Sequence, residues 1–77
     1  MEINILSFGK ISEFITVNRL DTDEIFDTDG LKQQLEKTYT QLKEIKYKLA
    51  LNKQIVQKNI ELLPGDVVAI MPPFSGG

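Results

Sequence analysis

The stretch that decides the fold lies near the carboxyl-terminal end, Leu63–Met71, with the sequence LPGDVVAIM. Pro64 and Gly65 stand where a type II turn needs them, because proline presets the first φ angle and glycine accepts the positive φ of the second. The residues that follow, DVVAIM, are apolar at nearly every position. A strand that is apolar on both faces belongs in the middle of a sheet. We therefore predict a turn that leads into a central strand over residues 66–71.

The beginning of the chain has the same character. In INILSF, residues 3–8, Ile3 and Ile5 point one way and Leu6 and Phe8 the other, because side chains of a strand alternate between its faces. We predict a second central strand here.

The next segment is less regular. Gly9 interrupts the apolar alternation, residues 11–15 favour a short helical turn, and residues 18–26 are only weakly patterned. We predict that residues 18–26 form a strand at the edge of the sheet.

From Thr28 the apolar period becomes that of a helix. Asp27 or Thr28 can serve as the N-cap, and the acidic residues around them suit the positive end of the helix dipole. We predict one helix from Thr28 to about Leu42. Its apolar stripe, at spacings of four, four and three, consists of Leu31, Leu35, Tyr39 and Leu42.

The alternation returns in KYKLALN, residues 46–52, which predicts a strand. The pair Asn52-Lys53 favours a tight turn into a short partner strand at 54–57. One helix that covers one face of a mixed sheet of four to five strands is the β-grasp arrangement, an α+β fold. The sequence therefore predicts a β-grasp domain.

Composition restricts the possible functions. The chain has 77 residues, a net charge of -2, no cysteine and no histidine. Disulfides, a catalytic thiolate and the side chain most often used as a general base near neutral pH are therefore excluded. We expect no enzyme that acts alone, no cofactor bound by this chain, and no nucleic-acid partner, which would favour a basic surface.

The chain also lacks the patterns of membrane and secreted proteins. No apolar run approaches the roughly 20 residues that cross a bilayer. The start, MEIN, has neither the basic residues nor the apolar stretch of a secretion signal. We expect a cytoplasmic protein with no membrane association.

One resemblance to a metal site is weak. Asp27, Asp29, Gly30 and Glu36 match positions of a calcium-binding EF-hand loop, but Ile25 stands where the first ligand belongs. Acidic residues at a helix start explain the pattern better, and we expect no metal.

The last residues, IMPPFSGG, have an unusual order. Pro72 and Pro73 have no backbone N–H, so they end the sheet after the last strand and project the chain in an extended form. We predict a β-grasp domain over 1–71 and an extended tail over 72–77, with Phe74 as an apolar anchor for a partner.

The tip of the tail narrows through Ser75 to Gly76 and Gly77, which suits a narrow channel in another protein. A terminal glycine leaves its carboxylate unhindered by any Cβ. If ATP converted this carboxylate to an acyl-adenylate, a nucleophile could displace AMP, and the glycine carbonyl would carry whatever attacked it.

The whole chain resembles the small sulfur-carrier subunit of molybdopterin synthase. The residues that carry the resemblance are INILSFGKISE at the start, LALNKQIV in the middle, PGD before the last strand and, above all, MPPFSGG at the end. A double proline, an apolar residue, a small residue and Gly-Gly form a fairly specific motif.

The resemblance implies a mechanism and partners. An activating enzyme of the ubiquitin-activating type, an adenylyltransferase, would use ATP to adenylate Gly77, and sulfur from a persulfide would convert it to a thiocarboxylate. The tail, Pro72 to Gly76 included, would enter the large synthase subunit and donate sulfur to cyclic pyranopterin monophosphate. Two transfers complete one product, and the family assembles as a heterotetramer.

Alternatives remain open from the residues alone. A sulfur carrier of the thiamine pathway shares the fold and the Gly-Gly end, although MPPF favours the molybdopterin pathway. A ubiquitin-like modifier would join Gly77 to lysines of other proteins, and a β-grasp binding module would use no terminal chemistry. The simplest alternative is that Gly76-Gly77 is an inert end.

Overall fold

The computed structural model describes residues 1–73. Phe74, Ser75, Gly76 and Gly77, on which the predictions for the tail's anchor and tip fall, lie outside the described residues. The elements in chain order are β1 (Glu2–Ser7), a first 3₁₀-helix (Gly9–Glu13), β2 (Arg19–Asp21), α1 (Thr28–Thr38), a second 3₁₀-helix (Thr40–Glu44), β3 (Lys48–Leu51), β4 (Gln54–Ile55) and β5 (Val67–Met71).

The strands of the described part form one mixed sheet in the order β2-β1-β5-β3-β4. β1 and β5 are parallel neighbours, and every other pair is antiparallel. The first and last strands of the chain therefore lie side by side inside the sheet, as their apolar patterns predict. With α1 packed on one face, this is the predicted β-grasp fold.

The core lies between one face of the sheet and α1. Alternation along each strand brings every second side chain to this face. The buried cluster includes Ile3, Ile5, Leu49, Val68 and Ile70 from the strands and Leu31 and Leu35 from α1.

The turn before β5 is as predicted. The Asp66 N–H donates to the Leu63 carbonyl at 3.1 Å. Gly65 has a φ of 86°, the positive value that a type II turn requires at its third residue.

The prediction of one helix to Leu42 is wrong. α1 ends at Thr38, and Tyr39, with φ -117° and ψ 86°, leaves the helical region. The sequence Thr38-Tyr39-Thr40 consists of weak helix formers, which lose side-chain freedom in a helix. The second 3₁₀-helix still carries Leu42 into the core, where it is buried like Leu31.

The predicted edge strand over 18–26 is much shorter, because β2 ends at Asp21. The Thr22 hydroxyl accepts hydrogen bonds from the backbone N–H groups of Glu24, at 3.3 Å, and Ile25, at 3.0 Å. This local turn competes with the sheet ladder and ends the strand. The edge position is confirmed, since β2 pairs with β1 alone among the strands described.

α1 begins at an acidic cap, as predicted. The Asp27 carboxylate accepts a hydrogen bond from the Gly30 N–H at 2.8 Å and another from the Asn59 side chain at 3.1 Å. Both bonds lower the pKa of Asp27, the Gly30 bond more strongly. The carboxylate that resembled a calcium ligand therefore caps the helix.

Within residues 1–73 no helix combines the length and the apolar character needed to cross a membrane.

Candidate functional site: the apolar sheet face and the base of the tail

The base of the tail leaves the sheet from its central strand. Met71, the last residue of β5, is paired with Lys48 of β3. Pro72 is half-buried and Pro73 is exposed. The ladder stops at Met71, where the sequence predicts it, because neither proline can donate a backbone hydrogen bond.

A continuous apolar surface covers the side of the sheet opposite α1. The register places Leu6 beside Ala69, Ala69 beside Ala50, and Ala50 beside Ile55, so one row of apolar side chains crosses four strands. These residues line a hollow of about 440 Å³. We call this surface the apolar sheet face; it consists of Leu6, Phe8, Ala50, Ile55, Val67, Ala69 and Met71.

Large side chains of this face are open to solvent. Leu6 and Phe8 are each 47% exposed and Ile55 is 46% exposed. Because the single α-helix of residues 1–73 covers the other side of the sheet, no described element covers this one. A contiguous exposed apolar patch is typical of a surface that binds another protein.

Cationic and hydrogen-bonding groups border the face. Lys53 and Asn52 line the same hollow, and Lys48 lies across from Met71. An apolar centre with a polar rim is the usual composition of a protein interface. The site therefore has the character of a docking surface.

A hydroxyl group outside this face is held in its neutral form. The Tyr47 hydroxyl donates to Glu36 at 2.6 Å. Burial, and secondarily this bond to Glu36, raise the pKa of Tyr47. The phenol therefore stays protonated. It serves as a hydrogen-bond donor that links the residue before β3 to α1, rather than as a base.

Sequence reasoning located only part of this site. It predicted Pro72 and Pro73, which directly follow the last residue of β5. It also predicted Phe74, Ser75, Gly76 and Gly77, which lie outside the described residues. It explained the second apolar face of the central strands by their mid-sheet position alone. The signal for a docking surface was nevertheless present, because one helix can cover only one face of such a sheet.

The fold and the site define a class, the ubiquitin-like β-grasp proteins, and two solved structures share this fold over the full length of both chains. The crystal structure of SAMP1 from Haloferax volcanii is similar with a TM-score of 0.74 and 17% sequence identity, covering 100% of each chain. The complex of subunits 1 and 2 of molybdopterin-converting factor from Helicobacter pylori 26695 contains a chain that is similar with a TM-score of 0.69 and 24% identity, again covering 100% of each chain.

The family model described as "ThiS family" matches residues 5–77. This chain therefore belongs to the ThiS family, the ubiquitin-like sulfur carriers.

Proposed function

We propose that this chain is the sulfur-carrier subunit of a molybdopterin synthase. The observation that carries the proposal is that the base of the tail and the apolar sheet face share Met71, so the segment that leads to Gly77 leaves the domain beside a surface suited to docking. Family membership supports the carrier role. The MPPFSGG motif and the neighbour from a two-subunit molybdopterin-converting factor favour this pathway.

The chemistry belongs to Gly77. Its carboxylate attacks the α-phosphate of ATP in an activating adenylyltransferase, giving an acyl-adenylate and pyrophosphate. A persulfide then displaces AMP, and a thiol of the sulfur-delivering enzyme cleaves the resulting acyl disulfide, which leaves a thiocarboxylate and an enzyme disulfide. This step consumes ATP, and we propose that it takes place in the cytoplasm.

Delivery belongs to the partner. The large subunit covers the apolar sheet face, while Phe74 binds in a pocket and the Ser75-Gly76-Gly77 tip enters its active site. Acid–base groups come from that subunit. Each carrier donates one sulfur to cyclic pyranopterin monophosphate, and two transfers complete the dithiolene within a heterotetramer.

Intact-mass measurement tests the carrier role. The chain is incubated with the activating enzyme, ATP and a persulfide donor, and we expect a mass change equal to the exchange of one oxygen for sulfur. Adducts through lysine would instead support a ubiquitin-like modifier, and an unchanged mass would reject a sulfur carrier.

A second assay separates the two sulfur pathways. The thiocarboxylated chain is offered to the large synthase subunit with the pterin precursor and, in parallel, to the thiazole-forming enzyme of thiamine synthesis. We expect turnover with the first. Transfer only to the second would assign the chain to the thiamine pathway.

A further inference from the structure

Gly9 lies directly against the base of the tail. A Cβ atom at this position would stand 2.9 Å from the Pro72 Cγ and 3.5 Å from its Cδ. The first of these distances is shorter than carbon–carbon contact allows. Gly9 also has a φ of 59°, a conformation that favours glycine. The proline ring can therefore lie this close only because residue 9 has no side chain.

The backbone around Gly9 is held in place. The Phe8 N–H donates to the Ile70 carbonyl of β5 at 3.1 Å. The Ser12 hydroxyl donates to the Gly9 carbonyl at 2.7 Å. Ile11, in the same 3₁₀-helix, is fully buried in the core. Gly9 is thus a fixed point relative to the strand from which the tail departs.

Two contacts therefore define where the tail leaves the domain. Met71 is held by its pairing with Lys48, and Pro72 is held against Gly9. We infer that Gly9 is a positioning residue, which seats Pro72 and sets the direction of the tail relative to the apolar sheet face. This inference rests on the proposed function, since direction matters only if a partner must receive the tip.

A small change at this contact alters the direction in which the tail leaves the domain. The five residues from Pro73 onward can span up to about 17 Å, so a change of angle at Pro72 can direct a long segment toward a different part of the partner. A misplacement of about 1 Å at a reacting group can reduce a rate about 100-fold. The apolar sheet face would still bind the partner, so the loss falls more on transfer than on association.

The decisive variants are Gly9→Ala and Gly9→Asn, with Gly65→Ala as the matched control. Gly65 also has a positive φ, of 86°, but a Cβ there would meet no atom within 4 Å. Gly65→Ala therefore introduces similar backbone strain without touching the tail. Asn accepts positive φ more readily than Ala, so Gly9→Asn adds the Cβ with less backbone strain. It keeps the inference testable if Gly9→Ala fails to fold.

We expect both Gly9 variants to lower kcat for sulfur transfer to the large subunit by at least about tenfold, with a smaller rise in the Kd of the complex, since Phe74 also moves with the tail. Gly65→Ala should lower the melting temperature as Gly9→Ala does and leave kcat within about twofold of the parent protein. Equal kcat in the Gly9 and Gly65 variants would reduce Gly9 to a structural role and overturn the inference.

A rescue experiment checks the contact itself. Pro72→Ala removes the ring atoms that the new Cβ would meet, so Gly9→Ala should reduce kcat less in a Pro72→Ala background than in the parent protein. Strictly additive effects of the two substitutions on kcat would contradict a direct contact between residue 9 and Pro72.

A spectroscopic readout separates this inference from the proposed function. In the parent protein we expect a nuclear Overhauser effect between the Gly9 Hα and the Pro72 Hγ protons. Amide shifts of residues 74–77 should change in Gly9→Asn and stay constant in Gly65→Ala. If the parent protein accepted no sulfur, the proposed function would be wrong, but these spectra would still test the contact between Gly9 and Pro72. If the nuclear Overhauser effect between Gly9 and Pro72 were absent, only the inference about Gly9 would be refuted.

Discussion

Asn52 and Lys53 form the turn between β3 and β4, with φ angles of 49° and 75°. Asparagine adopts this left-handed region more readily than lysine. The Asn52 side chain donates to the Asp66 carboxylate at 3.0 Å and accepts from the Val67 N–H at 3.0 Å. The turn is thereby tied to the start of β5, and Lys53 carries the backbone strain.

Replacing Lys53 with glycine should stabilise the protein. Relief of about 1–2 kcal/mol of left-handed strain exceeds the roughly 0.5–1 kcal/mol of entropy that glycine loses on folding, so the free energy of unfolding should rise by about 0.5–1 kcal/mol. Urea denaturation measures the change. The control is Lys58→Gly, at an exposed lysine outside the left-handed region, which should not raise the free energy of unfolding. A lower free energy of unfolding in Lys53→Gly would show that Lys53 is not strained.

The Asp27 cap makes stability depend on pH. Because the folded pKa of Asp27 lies below its ordinary value of 3.8, this carboxylate stabilises the fold above that value and loses its contribution as pH falls through the lowered folded pKa. We expect the melting temperature of Asp27→Asn to lie below that of the parent protein at neutral pH. The two curves should converge as the pH falls below 3.8 and through the lowered folded pKa. A constant difference would show that the charge plays no part.

At the scale of elements, apolar spacing identified what is buried better than it identified where elements end. Leu31, Leu35 and Leu42 are all buried, as the predicted stripe requires, yet they belong to two consecutive helices of different type. The break at Tyr39 is compatible with the same burial, because the second 3₁₀-helix turns Leu42 back to the core. A packed stripe therefore does not imply one continuous helix.

The contribution of α1 to stability can be measured at Leu35. This residue is 2% exposed in the core cluster, and Leu35→Ala should lower the free energy of unfolding by about 2–5 kcal/mol, through lost burial and the cavity that remains. Gln33→Ala, at an exposed position of the same helix, should change it by less than about 0.5 kcal/mol. Urea denaturation measures both changes. Similar losses of unfolding free energy in the two variants would mean that helix propensity rather than packing dominates.

At the scale of the whole molecule, the two sides of the sheet have different tasks. One side and α1 bury the core, whereas the other exposes the apolar sheet face beside the tail base. The base of the tail lies against the domain where Pro72 approaches Gly9. Partner binding and sulfur chemistry should therefore respond to mutations that leave the domain's stability unchanged.

Leu6 tests the docking surface. Leu6→Gln removes an apolar group from the middle of the face and should raise the Kd for the large subunit by about tenfold or more, since this corresponds to about 1.4 kcal/mol, an ordinary loss for an interface anchor. Phe26→Gln is the matched control, because Phe26 is 63% exposed but lies outside the face. Titration calorimetry gives both dissociation constants. An equal rise in Kd for the two variants would mean that the partner does not bind specifically at the apolar sheet face.

Deletion of Gly77 tests the separation of fold and chemistry. We expect the shortened chain to accept no sulfur from the activating system. Its terminal carboxylate would belong to Gly76, one residue too short to reach the ATP site of the activating enzyme. The melting temperature should match that of the full chain, since the core cluster described in residues 1–73 is built from strands and helices that end at or before Met71. A large fall in melting temperature would show that the terminus is structural.

The sequence by itself determined the features that depend on neighbouring residues. These are the strands with period two, the start of α1 at Asp27, the turn at Pro64-Gly65 and the end of the sheet before Pro72. Each follows from backbone geometry or from a hydrogen bond within a few residues.

Only the tertiary structure decided the features that depend on distant residues. It paired β1 with β5 in parallel, aligned Leu6, Ala69 and Ala50 in one row, and brought Gly9 against Pro72. Apolar spacing shows that a side chain prefers to leave water, but not which surface will cover it. That choice is made when elements far apart in the chain pack together, and here α1 covers one side of the sheet while the other stays exposed within residues 1–73.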